Sequence, residues 1–501
     1  MLSVVTFLPT VAGLVLLALP RLDDALVRRT WVAVCAIDVA LVVGLWIGYD
    51  STSGVTDAIA YEASLRWIPN VDSRYHIGVD GLSLPLVALT AVLFLACAIY
   101  SLRETDRVRP YVVLFLLLQT VCLGVFVALD LILFFVFFDL SIVGMYFVIA
   151  GWGHQPGAGK AALRFFLYTF LGSLVLLLGF IGLYLAADPR TFDMVELARQ
   201  TPLAGQGVAG GLVLLALFVG FAIKTPTVPF HTWLPPAHTE APAVGSAILA
   251  GVLLKMGTYG FVRIMMPMLP DTWRRYALVI VIIGVVSVVY GALVALAQND
   301  FKRLVAYTSV NHMGYVVLAV GAAGLIADTD TQARQLAVTG AVTQMVSHGL
   351  ITAALFLLAG VLYQRGGTYD MGAYGGLAAR TPRLAALTAV AAFASLGLPG
   401  FSGFIAEFQI LTGSLGSAPI PTAVAVVGIL LTAALFLLAL QRIFLGPYKA
   451  PAGMLTQDTT RIETAAIAPL LVLATVIGLF PRFLLDVIEP AARVVVELVA
   501  R

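Results

Sequence analysis

Charge is what this sequence has least of. Asp, Glu, Lys and Arg make up 11% of its 501 residues, while 60% are hydrophobic. Ordinary soluble chains carry about 25% charged residues. The imbalance excludes a soluble multidomain protein and makes length a poor guide to domain number. Cysteine is nearly absent. Cys35, Cys97 and Cys122 each sit inside an apolar run, with no CxxC pair and no secreted disulfide pattern, which argues against metal or iron–sulfur ligation. No glycine-rich phosphate loop occurs. A net charge of +2 gives no basis for nucleic-acid binding. Lysine is scarce, five against 24 arginines, and the six histidines are scattered. No basic segment precedes the first apolar stretch. Arg21, Arg28 and Arg29 follow it, so residues 2–20 read as a first span and not as a cleaved signal peptide.

What the chain does have is long apolar runs. A span needs ~20 apolar residues. Fourteen are expected, near 2–20, 30–49, 82–102, 110–129, 131–152, 162–187, 210–240, 244–267, 274–297, 302–327, 334–363, 384–416, 421–445 and 463–481, followed by an interfacial helix over 483–501. The fold class is therefore an all-α polytopic membrane protein. Lys and Arg concentrate in loops after odd-numbered spans and acids on the opposite side, which puts both termini outside. The longest external loop, 50–80, contains YEASLRWIP and SRYHIGVDG, a possible small hairpin.

Two spans are interrupted. The seventh contains Pro226, Pro229, Pro235 and Pro236, and the twelfth contains GLPG at 397–400 followed by Ser402 and Gly403. Proline removes a backbone donor and clashes with the preceding turn, so both helices should break. Each is fourth in a block of five spans, 4–8 and 9–13. An odd number of spans per block inverts the second copy, and paired broken helices in equivalent positions point to a transport site at the repeat interface. The expected divisions are 1–109, 110–267, 268–445 and 446–501.

Ionisable groups lie deep in these spans: Asp139, Lys224, Lys255, His312, His348 and Glu407. Each charge at the bilayer centre costs about 2.5–3.5 kcal/mol even on a lenient scale, a large penalty for a passive scaffold. His231, His238 and Glu240, beside the first break, are either turn formers or proton-uptake groups. A lone helical histidine is commonly a satisfied core group, and Asp38 and Arg263 read as structural. Single titratable groups spread over several spans, without an aromatic cage or polar cluster, suit protons better than organic substrates. Burial favours neutral lysine and a nearby carboxylate favours charged lysine, whereas arginine holds its proton. A Lys–carboxylate pair of variable separation is thus a proton switch.

The segments IKTPTVPFHTWLPPAHTEAPAVGSAILAGVLLKMGTYG, QNDFKRLVAYTSVNHMGY and LPGFSGFIAEFQIL closely resemble those of the antiporter-like membrane subunits of respiratory complex I. The resemblance covers nearly all of 80–450. It implies fourteen spans, inverted repeats and a central polar axis. Lys224 matches the broken-helix lysine and Lys255 the central one. Glu407 matches the glutamate of the chain M branch, where chains L and N and cation/proton antiporter subunits usually carry lysine. The long lateral helix of chain L has no counterpart. Asp139 falls where the family usually has glutamate, so its contact with Lys224 is expected to be longer or water-bridged. Pro236 replaces a frequent aspartate at the mouth.

The resemblance further implies a bacterial inner-membrane subunit that moves protons from the Asp139–Lys224 pair through Lys255 and the histidines His312 and His348 to Glu407 and out on the external side. Quinone reduction elsewhere would drive it, with NADH, flavin, iron–sulfur clusters and quinone held in partner subunits and none in this chain. Chains L and N are the expected neighbours. A cation/proton antiporter subunit, a hydrogenase-linked pump and a spacer without a proton path are the alternatives.

Overall fold

The computed structural model describes residues 1–19, 21–49, 59–154, 156–325 and 330–500. The expected ends of the first and tenth spans, the start of the 50–80 loop and Arg501 lie outside them. Apolar runs fold as helices because a backbone in lipid must satisfy its own hydrogen bonds. The first are α1 (Leu2–Ala18), α2 (Asp24–Ile47), α3 (Leu84–Tyr100), α4 (Val108–Val127), α5 (Leu131–Trp152) and α6 (Ala158–Ala186). A short α7 (Met194–Gln200) leads to α8 (Gly207–Lys224) and α9 (Leu234–Glu240). Then come α10 (Ala243–Met268), α11 (Pro270–Leu296), α12 (Phe301–Ala322), α13 (Thr331–Gly366), α14 (Pro382–Ser395), α15 (Ser402–Leu415), α16 (Pro419–Phe444) and α17 (Arg461–Leu479). Among the described residues twelve helices are long and apolar enough to cross a membrane. The 17-residue α1 and the broken pair α14–α15 bring the spans to the expected fourteen.

Strands β1 (Ala60–Ile68) and β2 (Ser73–Val79) form the antiparallel hairpin read from the external loop. Asp130, the N-cap of α5, ties β2 to that helix: its carboxylate accepts from the Ser73 hydroxyl and the Arg74 amide as well as from Ile132 and Leu133.

Layering follows side-chain polarity. Helices α10, α12 and α13 are almost wholly buried and carry Lys255, His312 and His348. The peripheral α6, α11 and α16 leave Leu171, Leu178, Leu278, Ile282 and Leu430 exposed, as a lipid-facing surface requires. Lipid gives helices no hydrophobic reason to associate, so close backbone approach matters. At Gly284 and Gly314, on the α11–α12 seam, an added Cβ would press on backbone atoms of the facing helix.

Both expected breaks are present, with a refinement at the first. Only Pro226 and Pro229 fall in the irregular stretch; Pro235 and Pro236 lie in the first turn of α9, where a missing N–H costs nothing. The freed backbone is satisfied internally: Thr227 N–H donates to Ala222 O, Val228 N–H to the Ser287 hydroxyl, and the Trp233 indole to Ile223 O. At the second break Gly397 (φ +76°) and Gly400 (φ +101°) turn the chain. A final helix, α18 (Arg482–Ala500), buries Leu484, Val487, Ile488, Ala492, Val495, Val496 and Val499. That is the 3–4-residue stripe of an amphipathic helix. The Arg274 and Arg334 side chains donate to the Val499 and Val496 carbonyls near its end.

Candidate functional site

The deep ionisable groups fall into two clusters and a mouth. In the first cluster, Lys224 ends α8 at the break and is 1% exposed. Its Nζ donates to Ser141 Oγ at 2.9 Å and lies 4.8 Å from the centre of the Phe138 ring. Asp139 lies between these neighbours in sequence, one residue after Phe138 and two before Ser141. It is half-buried, faces Ser173, and its Oδ1 has no hydrogen-bond partner. Among the described residues no ion pair joins it to Lys224. The hydrogen-bond acceptor of Lys224 is Ser141 on the same helix as Asp139.

The second cluster runs from Lys255 to Glu407. Lys255, wholly buried, follows a π-turn over Leu249–Leu253. Such turns interrupt regular α-helices and recur at functional sites. Here Nζ reaches back to Ala250 O at 2.5 Å and to His348 Nδ1 at 2.5 Å. A lysine ammonium only donates, so Nδ1 accepts and the neutral imidazole carries its proton on Nε2. That nitrogen has no protein partner. The ring of His312 lies 5.4 Å away. His312 Nδ1 stands 3.2 Å from Gln344 Nε2 and 3.5 Å from Glu407 Oε1, and its Nε2 stands 3.3 Å from Ser395 Oγ. Neutral His312 can accept from the Gln344 amide; protonated His312 presents Nδ1–H to Glu407 instead. A cavity of about 10 Å³ lies among His312, Gln344, His348 and Glu407, about the room one water's centre requires.

The second break builds the far end. Gly397 adopts the left-handed conformation that favours glycine, and a Cβ there would collide with the Glu407 carboxylate. The hydroxyls of Ser347 and Ser402 meet at 2.7 Å, fixing the start of α15 against α13. Between the two clusters Gly257 of α10 lies against Thr225, whose hydroxyl is buried and without a partner.

The three groups beside the first break do not form one site. His231 lies against Tyr290 and Tyr307. His238 is wholly buried, stacked on Phe356 at 4.5 Å, with both ring nitrogens unpartnered. Glu240 is half-buried at the mouth beside Gly157. Asp38 accepts from Gln119 at 2.7 Å, and Arg263 pairs with Asp80, both in structural roles. Sequence reading missed Ser141, Gln344 and Lys302. Lys302 is 0% exposed, yet it stands at a span edge next to Arg303 and so reads as loop charge. Its rarity as one of five lysines was the available signal. Among the described residues no group of three or more His, Cys, Asp or Glu could hold a metal ion.

Residues 128–432 match the family described as NADH:quinone oxidoreductase/Mrp antiporter, TM. The chain is 37% identical to NADH-quinone oxidoreductase subunit M of Rickettsia conorii over 494 residues, covering 97% of this chain and 96% of the relative. It is 38% identical to the F(420)H(2) dehydrogenase subunit M of Methanosarcina mazei, covering 91% and 90%. A chain of respiratory complex I from Thermus thermophilus superposes over 100% of both chains with a TM-score of 0.87 at 30% identity. With more than half its length in the family match and a full-length relative above 30% identity, the chain belongs to the NADH:quinone oxidoreductase/Mrp antiporter family of membrane subunits.

Proposed function

We propose that this chain is a proton-translocating membrane subunit of an NADH–quinone oxidoreductase. The observation that carries this reading is the buried row Lys255–His348–His312–Glu407, titratable side chains from four elements with the two imidazole rings 5.4 Å apart. Such groups, costly in a membrane, mark ion pathways.

Asp139 and Lys224 act as the switch that loads the line. With Lys224 resting on a neutral serine, a rotation of α5 that carries Ser141 away would bring the Asp139 carboxylate up to hold the ammonium; the reverse rotation would send the proton toward Lys255. The His348 tautomer and the two settings of His312 then carry it to Glu407, at the hinge of the second break. His231, His238 and Glu240 lie on the uptake side. The chain divides into 1–109, two inverted five-helix units at 110–267 and 268–445, and 446–501, with both termini outside a bacterial inner membrane. NADH, flavin, iron–sulfur clusters and quinone belong to partner subunits, and chains L and N are the flanking neighbours.

Glu407 separates this reading from a cation/proton antiporter, whose relatives usually carry lysine there. Isolation of the native assembly through a tag on this chain tests it. Co-purifying flavin and iron–sulfur subunits are expected; an assembly without redox subunits would favour the antiporter.

A further inference from the structure

We propose that Lys302 is a positioning residue of the proton path: its buried ammonium clamps the carbonyl end of α9 and sets the mouth beside Glu240. The inference rests on the proton-translocation reading above.

Lys302 occupies the first turn of α12 and is wholly buried. Its Nζ donates to Ala241 O and, at 3.5 Å, to Thr239 O. These carbonyls belong to the C-terminal end of α9, where a helix leaves acceptors unsatisfied and where a cation meets the negative end of the helix dipole. The Tyr369 ring covers the ammonium, 5.0 Å from Nζ to the ring centre. The Tyr369 hydroxyl is 3.0 Å from His154 Nε2, and the His154 amide donates to Glu240 O at 2.7 Å. Phe301 N–H donates to Tyr369 O.

Among the described residues Lys302 has no ion-pair partner. The carboxylates of Asp300 and Glu240 are near enough to act on its charge but not in contact with it; a buried charge held only by carbonyls is heavily penalised, so its retention calls for a role that a neutral donor would not fill. The connections supply one. His154 follows α5, which carries Asp139 and Ser141. Helix α9 carries His238 and Glu240. Helix α12 carries His312, and Tyr369 follows α13, which carries His348. The ammonium thus sits where the C-terminal ends of α9 and α13, and through Tyr369 and His154 that of α5, meet the N-terminal end of α12. His238, with two unpartnered ring nitrogens, lies one residue before the clamped carbonyl of Thr239. Losing the clamp frees α9 to carry that imidazole out of place.

The test compares Lys302→Met, Lys302→Gln and Lys302→Arg in the assembled complex in sealed vesicles, reading protons pumped per NADH oxidised. Assembly is checked on native gels. Lys302→Met is expected to lower the ratio at least threefold, and Lys302→Arg, which keeps charge and donors, to restore it to within twofold of the parent. An unchanged ratio in Lys302→Met overturns the proposal. So does Lys302→Arg failing as fully as Lys302→Met, which would make Lys302 itself a proton carrier. If Lys302→Met does not assemble, Lys302→Gln against Lys302→Arg makes the same comparison. A Lys255→Ala control separates the two readings: its loss of pumping beside a normal Lys302→Met removes the clamp alone, and normal pumping in Lys255→Ala removes the proton path.

Discussion

Lys224 Nζ rests on Ser141 Oγ at 2.9 Å and makes no ion pair with Asp139, two residues earlier on the same helix. The serine is therefore the resting acceptor of the broken-helix lysine. Ser141→Ala would leave a buried ammonium without that acceptor, at a cost of roughly 1–3 kcal/mol. Pumping is expected to fall about tenfold or more while the complex still assembles; pumping at the parental rate would show that the serine contact is idle.

Asp139→Glu adds the methylene that the acid lacks. It should let the carboxylate approach Lys224 and keep coupling, whereas Asp139→Asn should lower it severalfold. Initial pumping rates, normalised to quinone reduction, check both. Equal activity of all three would remove Asp139 from the switch.

Lys224→Arg keeps the charge and removes the ability to release a proton. Turnover is expected to collapse although assembly is retained. Full turnover would show that deprotonation at this position is unnecessary.

Gly397→Ala places a side chain in a left-handed position, costing about 1–2 kcal/mol, and drives it into the Glu407 carboxylate. Loss of pumping should exceed the loss of thermal stability. A variant destabilised but fully coupled would mean that Glu407 need not be held beside the hinge.

The face that carries the β-hairpin should titrate separately. His76 Nδ1 is 2.5 Å from Asp193 Oδ2, and Nε2 is 2.7 Å from Glu62 Oε1. Burial pulls the imidazole's pKa down, but the hydrogen bonds and charges of Asp193 and then Glu62 prevail and hold it above the ordinary 6.5. Burial likewise pushes Asp193 up, yet His76 and the α7 amides hold it below its ordinary value. A raised histidine stabilises the fold fully below pH 6.5, and that contribution is lost as pH rises through the folded-state value. The lowered Asp193 acts oppositely: its contribution is lost as pH falls through its own folded-state value. The melting temperature of His76→Asn should therefore lie below the parent near pH 6 and converge with it toward pH 9. A gap that widens with alkalinity would contradict the assignment.

Much of this was legible in the sequence, for a physical reason. A charge in a lipid-length apolar run is costly, so Lys224, Lys255 and Glu407 declare themselves. The breaks were equally plain, because proline and glycine act locally. What stayed hidden depends on tertiary approach. The π-turn that lets Lys255 reach Ala250 O leaves no mark in the composition around it. His231 and His238 are seven residues apart, yet the break and the short α9 send them to different neighbours. Ser141 and Gln344 are ordinary polar residues until a lysine or a histidine is folded against them. Lys302 hid because a span edge beside an arginine is where a membrane protein normally carries positive charge.

The central claim is that protons pass through Lys255. The most direct measurement is proton pumping alongside quinone reduction in reconstituted complex bearing Lys255→Ala. The account predicts pumping reduced severalfold or more in an assembled complex, with the change greater in pumping than in assembly. Parental pumping and coupling in that variant would contradict it.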